Sequence, residues 1–157
     1  MRRTLVRLAG LAGLLLLFPV AALVLRSAGP PPPRASGFAL TGTLRSGAGP
    51  EGSTQYVVGL QLQSRAAAGW RVDQVFLTLL DGERPVSTLI EDAPALEARQ
   101  HGPVEIAPGA SCALGPFVVE IPAGARGDVL LASVRLSDPE SGRSTTAQAE
   151  LPVEPSR

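Results

Sequence analysis

From residue 38 onward, short apolar runs recur about every ten residues, separated by glycine, proline and aspartate. In several runs apolar and polar residues alternate, as in Tyr56, Val58, Leu60 and Leu62. Such alternation is typical of half-buried strands. Seven or eight strands at this spacing predict an all-β sandwich, and no segment beyond residue 37 keeps a sustained helical period.

The turns between these runs define the predicted strands. Asp81 and Gly82 separate two extended runs, which is a strong hairpin signal because glycine takes the positive φ that tight hairpin turns need. Residues 91–103 lose the alternation and predict a crossover loop, with one helical turn around Leu96. The predicted strands cover Phe38 to Leu44, Tyr56 to Leu62, Val72 to Leu80, Pro85 to Ile90, Val104 to Ile106, Phe117 to Ile121, Val129 to Leu136 and Thr145 to Val153.

Two stretches resemble immunoglobulin-like modules of exported bacterial proteins. Residues 104–142 carry a Pro-Gly turn, a strand that leads to an Ile-Pro-x-Gly corner, and a strand ending in Asp and Gly. Residues 57–82 carry a strand, a small-residue loop and a second strand that ends in Leu-Asp-Gly. The resemblance implies an immunoglobulin-like β-sandwich over residues 38–157. These modules often have Asn in the first loop, where this chain reads Arg65 to Gly69, so no subfamily is identified.

An uncharged apolar run of eighteen residues from Leu8 to Leu25 predicts an N-terminal membrane helix. At about 1.5 Å per residue it spans roughly 27 Å, close to the hydrocarbon thickness of a bilayer. The alternative is a cleaved signal peptide with its site at residues 20–22, although the apolar run continues beyond that site. The bulky residues of the predicted anchor are Leu8, Leu14, Leu15, Leu16, Leu17, Phe18, Leu23 and Leu25.

The flanking charges predict the topology of this segment. Arg2, Arg3 and Arg7 precede the run, whereas only Arg26 and Arg34 follow it closely, so the N-terminus is expected inside and the C-terminal part outside the cytoplasm. The expected organisation is therefore a stub and anchor at 1–26, a proline-rich linker at 27–37 and an exported domain at 38–157. The expected location is the inner membrane as a single-pass protein, or the periplasm or exterior if the segment is cleaved.

Composition excludes several functional classes. The domain after Arg34 has nine arginines and fourteen acidic residues, a net charge of −5, which disfavours nucleic-acid binding. One Cys and one His exclude a disulfide framework and a His-rich or multi-Cys metal site. The glycines from Gly47 to Gly52 match a dinucleotide-binding spacing, but a strand pattern follows where that motif needs a helix. Residues 109–113 miss the last glycine of a serine-hydrolase elbow, so we expect no enzyme and no cofactor.

A few residues remain candidates for contacts. Trp70 follows a small-residue loop and is either a core residue or an exposed partner contact. His101 lies in a Gly-Pro loop and is either solvated or a contact residue. Cys112 is expected to be buried and inert, the alternative being a free thiol that can pair with another chain. The acidic residues available to a calcium ion are Glu91, Asp92 and Glu97, which otherwise form a solvated loop.

These features together predict a non-enzymatic, membrane-anchored envelope protein. Its exported sandwich would contact other envelope or membrane proteins as an accessory or scaffolding subunit, with membrane lipid around the anchor. The alternatives are a small-ligand or metal-ion module of the envelope, and a secreted soluble sandwich.

Overall fold

The computed structural model describes residues 37–153, which fold into two antiparallel β-sheets. The predicted anchor at 1–26 and nearly all of the predicted linker lie outside the described residues. Within residues 37–153, no helix has the length and apolar character needed to cross a membrane.

Every apolar run predicted as a strand forms one. The strands are β1 (Phe38–Ala48), β2 (Thr54–Ser64), β3 (Trp70–Asp81), β4 (Arg84–Asp92), β5 (Glu105–Ile106), β6 (Ser111–Ile121), β7 (Val129–Ser137) and β8 (Ser144–Pro152). One α-helix, α1 (Ala93–Gln100), joins β4 to β5, and a short 3-10 turn (Pro50–Gly52) joins β1 to β2.

The strands are divided between a small and a large sheet. Sheet 1 has the order β1-β2-β6, and sheet 2 has the order β4-β3-β7-β8, with β5 pairing the start of β3. The chain crosses from one sheet to the other after β2, before β6 and again before β7. Because β3 pairs with both β4 and β7, it occupies a central position in sheet 2.

The core lies between the two sheets and is built from alternate residues of each strand. Full burial of one such aliphatic or aromatic side chain contributes about 1.5–3 kcal/mol. The largest fully buried side chains are Leu62, Leu114, Phe117 and Ile121 from sheet 1, Leu77, Leu79, Leu130 and Leu136 from sheet 2, and Leu96 and Ile106 from the crossover.

Two glycine-containing turns take the forms that the sequence predicted. Asp81 pairs with Arg84 across the hairpin, and Gly82 between them has φ 60°. The loop from Gly47 to Gly52 joins β1 to β2 and is followed by a strand, so it lacks the helix that a dinucleotide-binding loop requires.

Helix α1 is longer than the single predicted turn. Asp92 caps its N-terminus by accepting a hydrogen bond from the Ala95 N–H at 3.3 Å, and Pro94 suits the first turn because its missing N–H needs no partner. Only Leu96 is buried, which explains why periodicity gives the helix so weak a signal.

Candidate interaction surface

Trp70 begins β3 and is half-buried at one end of sheet 2. Its ring meets Phe38 edge-on, with the ring centroids 5.4 Å apart. The indole Nε1 is buried and has no acceptor within residues 37–153. A cavity of about 380 Å³ beside the ring is lined by Glu105, Pro108 and Pro139, among others. Trp70 therefore packs against the margin of the core. It lies between the two alternatives predicted from the sequence, a core residue and an exposed partner contact.

His101 ends helix α1. It is exposed and adopts the left-handed conformation at φ 61°, where its backbone N–H donates to the Glu97 carbonyl. The Gly102 N–H donates to the same oxygen at 3.0 Å. Glycine usually occupies this position because it carries no steric penalty there. The structure thus gives His101 a role in terminating the helix, and its proposed role as a partner contact stays a prediction.

The three acidic residues considered for calcium each have a protein partner. Glu91 is buried and binds Arg99 in a two-pronged ion pair, with one N–H···O contact of 3.1 Å. Glu97 pairs with Arg71, and Asp92 caps α1. Among the described residues, no group of three His, Cys, Asp or Glu side chains comes together in a geometry suited to a metal ion.

Arg99 ties helix α1 to both sheets. Besides pairing with Glu91 of β4, it donates from Nη1 to the Pro116 carbonyl of β6 at 3.0 Å. Its guanidinium carbon lies 5.5 Å from the centre of the Phe117 ring, within cation–π range. Arg99 has no distinguishing signal in the sequence, because the chain contains fourteen arginines and no lysine.

Side chains from β4 and α1 cover the outer edge of β6. The carbonyls of Glu120, Pro116 and Ala113 accept hydrogen bonds from Ser87 at 2.9 Å, Arg99 at 3.0 Å and Gln100 at 3.2 Å. An edge strand with free carbonyls can recruit another strand. These three contacts therefore protect this edge from strand addition.

Cys112 is half-buried in β6, rather than fully buried as predicted. Its thiol packs against the core, and burial raises its pKa. Its neighbour Ser111 lies in the same strand and not at a strand-to-helix turn, so residues 109–113 lack the geometry of a nucleophile elbow.

The outer side of sheet 2 carries an apolar patch. Along β3, buried Val75, Leu77 and Leu79 alternate with half-buried residues that point away from the core. The same alternation in β7 turns its odd-numbered residues outward. We define the apolar outer face as Phe76, Leu80, Ile90, Val129 and Leu131, of which Ile90 is 55% exposed.

Residues 72–80 are apolar on both sides of the strand, so their sequence alone does not show which side faces away from the core. Register shows that the outward residues are neighbours: Phe76 pairs with Ile90, and Leu80 pairs with Val129. Helix α1 packs at the edge between the sheets, where Leu96 joins the inner core, and no third layer within residues 37–153 covers this face.

The outer side of sheet 1 is more polar. It exposes one apolar cross-strand pair, Val57 and Val118, at 41% and 48%. Nearby, a shallow groove of about 400 Å³ is lined by Thr41, Gly59 and Pro116, among others.

The two sheets and the core between them define the class of protein as an all-β sandwich. No protein-family model and no curated protein matches the chain. Among solved structures, a structural-genomics target is similar at 10% identity, with a TM-score of 0.48 over 74% of this chain and 85% of the other. A protein described as ApaA from Bordetella pertussis has 10% identity and a TM-score of 0.49 over 73% and 89%. A protein from Archaeoglobus fulgidus has 12% identity and a TM-score of 0.39 over 73% and 96%.

Proposed function

We propose that the chain is a non-enzymatic, membrane-anchored envelope protein whose exported β-sandwich makes protein–protein contacts as an accessory or scaffolding subunit. The observation that carries this proposal is the apolar outer face of sheet 2. A two-layer sandwich normally presents polar residues on its outer sides. Exposed apolar residues at neighbouring register positions instead indicate a surface that another protein covers.

The size of the apolar outer face supports this function. Its three strands, β3, β4 and β7, lie about 4.8 Å apart, and its rows from Phe76 to Leu80 extend about 20 Å with their side chains, which gives about 300 Å². Contiguous apolar patches of a few hundred Å² are often functional on soluble domains. The face carries no charged side chain among its five defining residues, so desolvation of its centre costs little.

The strand order supports the finer assignment to the immunoglobulin-like class. Sheet 2 contains β3, β7 and β8 side by side, with β4 added next to β3. Immunoglobulin-like sandwiches place their third, sixth and seventh strands in one sheet in this way, and some add a further strand beside the third. β5 has only two residues and belongs to the crossover between β4 and β6.

The proposed anchor and location are supported by the eighteen-residue apolar run and the arginines that precede it. In this arrangement the N-terminus is cytoplasmic and the sandwich lies outside the inner membrane. The intact mass of the mature protein tests retention, because cleavage near residues 20–22 would remove the anchor and leave a secreted sandwich. The alternative of a metal or small-ligand module has less support, since Glu91, Asp92, Glu97 and His101 all have structural roles.

The experiment compares two variants of the full chain, cross-linked in its native host and purified in mild detergent. Ile90→Glu places a charge in the apolar outer face, and Val118→Glu makes the same type of change at a similarly exposed position on sheet 1. We expect Ile90→Glu to remove a stoichiometric protein contact that Val118→Glu retains. Equal recovery of all partners with both variants would contradict the proposal.

A further inference from the structure

In the middle of β3, β4 and β7, a bulky outward residue stands next to a small outward residue along the strand. Register aligns them in two adjacent rows across the sheet. Phe76 pairs with Ile90 on one side and Ser133 on the other, whereas Thr78 pairs with Thr88 and Leu131. Within each of β3, β4 and β7, therefore, one of the two rows holds a bulky residue and the other row holds a small one.

We infer that the apolar outer face pairs with the same face of a second copy of this chain, about a two-fold axis that runs across the strands. This inference rests on the proposed function, because it names the first partner of that surface. Such an axis exchanges the two rows. Phe76 of one copy then lies over Thr78 of the other, Ile90 over Thr88, and Leu131 over Ser133.

This arrangement lets the two faces interdigitate. Packed sheets lie about 10 Å apart, and large residues opposite small ones fill that space without voids or clashes. Every bulky residue in the two rows receives a small neighbour under this axis, so the surface is complementary to itself. Self-complementarity of one patch is the requirement of a two-fold interface.

The two possible axes bring different charges at the rim together. Arg135 is exposed on the outer side of β7, one row beyond Ser133, and Glu150 is exposed on β8 opposite Leu131. Exchange of the rows lays Arg135 of one copy over Val129 of the other, one strand and one row away from Glu150 of that copy. A two-fold axis parallel to the strands would instead lay Arg135 over Gln74, beside Asp92 of β4, so reversal of the charge at Glu150 distinguishes the two axes.

The area of this interface indicates a weak dimer. With its polar rim, each copy contributes about 600 Å², or about 1,200 Å² in total, at the lower end of specific interfaces. Interfaces of this size bind with dissociation constants that extend into the micromolar range.

The test uses the full chain in mild detergent and a single cysteine. Because Cys112 is the only native cysteine, Cys112→Ala with Ser133→Cys leaves one thiol in the interface. We expect a short bismaleimide linker to join two copies at Ser133→Cys, and not at Ala113→Cys, the matched position on the outer side of sheet 1. Arg135→Glu or Glu150→Arg alone should weaken the dimer roughly 5- to 30-fold, and the double reversal should restore it.

The outcomes separate this inference from the proposed function. Cross-linking that is specific to Ser133→Cys and rescued by the double charge reversal supports the dimer. Absence of that cross-link, while Ile90→Glu still releases a different protein, overturns the dimer and leaves the proposed function standing. If Ile90→Glu changes neither the dimer cross-link nor the recovery of other proteins, both proposals are overturned.

Discussion

Replacement of Arg99 by alanine should destabilise the sandwich more than any other removal of a surface-accessible charge. Arg99 neutralises Glu91, whose side chain is only 10% exposed, while the Arg99 side chain itself is 40% exposed. The variant leaves the Glu91 carboxylate largely buried without its partner. It also removes the hydrogen bond to the Pro116 carbonyl and the cation–π contact with Phe117.

The size of the stability loss follows from the solvent exposure of the Arg99 and Glu91 side chains. Breaking a fully buried ion pair costs about 3–5 kcal/mol, whereas an exposed pair contributes about 0–1 kcal/mol. Since water reaches Arg99 but scarcely reaches Glu91, we expect a loss of about 2–3 kcal/mol in the free energy of unfolding. Arg71→Ala is the matched control, because the Arg71 and Glu97 side chains are 39% and 33% exposed and their loss should cost only about 0.5 kcal/mol.

The assay is urea unfolding of the full chain, followed by the fluorescence of Trp70, the only tryptophan. With a urea dependence of about 1.5 kcal/mol per molar, Arg99→Ala should lower the midpoint by roughly 1.3–2 M and Arg71→Ala by about 0.3 M. Glu91→Leu combined with Arg99→Met should recover most of the loss, since it removes both charges. Equal midpoints for the two single alanine variants would refute the reasoning.

Three further results are expected. Gly127→Ala should cost about 1–3 kcal/mol because its Cβ would lie 2.5–2.7 Å from the Leu79 side chain, while Gly47→Ala, with nothing within 4 Å, should be neutral in urea unfolding. Hydrogen bonding from Ser141 lowers the pKa of Asp138 below 3.8, so its stabilisation should be complete at neutral pH and disappear as pH falls below about 4. The free energies of unfolding of wild type and Asp138→Asn should therefore converge in acid. A difference that stays constant across this pH range would contradict the expectation. Because burial raises the pKa of Cys112, its alkylation at pH 8 should be slower in the native protein than in urea, and equal rates would contradict its partial burial.

The strands were predictable because their signal is local. Alternation in residues such as Tyr56, Val58 and Leu60 reports one buried side, and glycine at position 82 marks a turn without reference to the rest of the chain. The same local signal failed at Phe76 and Leu131. The residue type does not show whether a third layer covers an apolar side chain. Only the assembled sheets show that these two residues point outward.

The polar contacts were the least predictable part. Glu91 and Arg99 are eight residues apart on different elements, and their pairing with Phe117 depends on how α1 crosses between the sheets. His101 also gave no signal, because a histidine that ends a helix in the left-handed conformation is read from sequence as an ordinary loop residue.

The order in which the strands meet has a consequence for synthesis. β1 with β2 and β3 with β4 are hairpins of neighbours in sequence, but neither sheet is complete until β6 adds to β2 and β7 adds to β3. During synthesis the chain thus forms two separate hairpins early. The two sheets are completed only when the last third of the chain becomes available. During that interval the future core is open to solvent, so this protein should fold slowly for its length and depend on holding chaperones until β8, which ends at Pro152, is released.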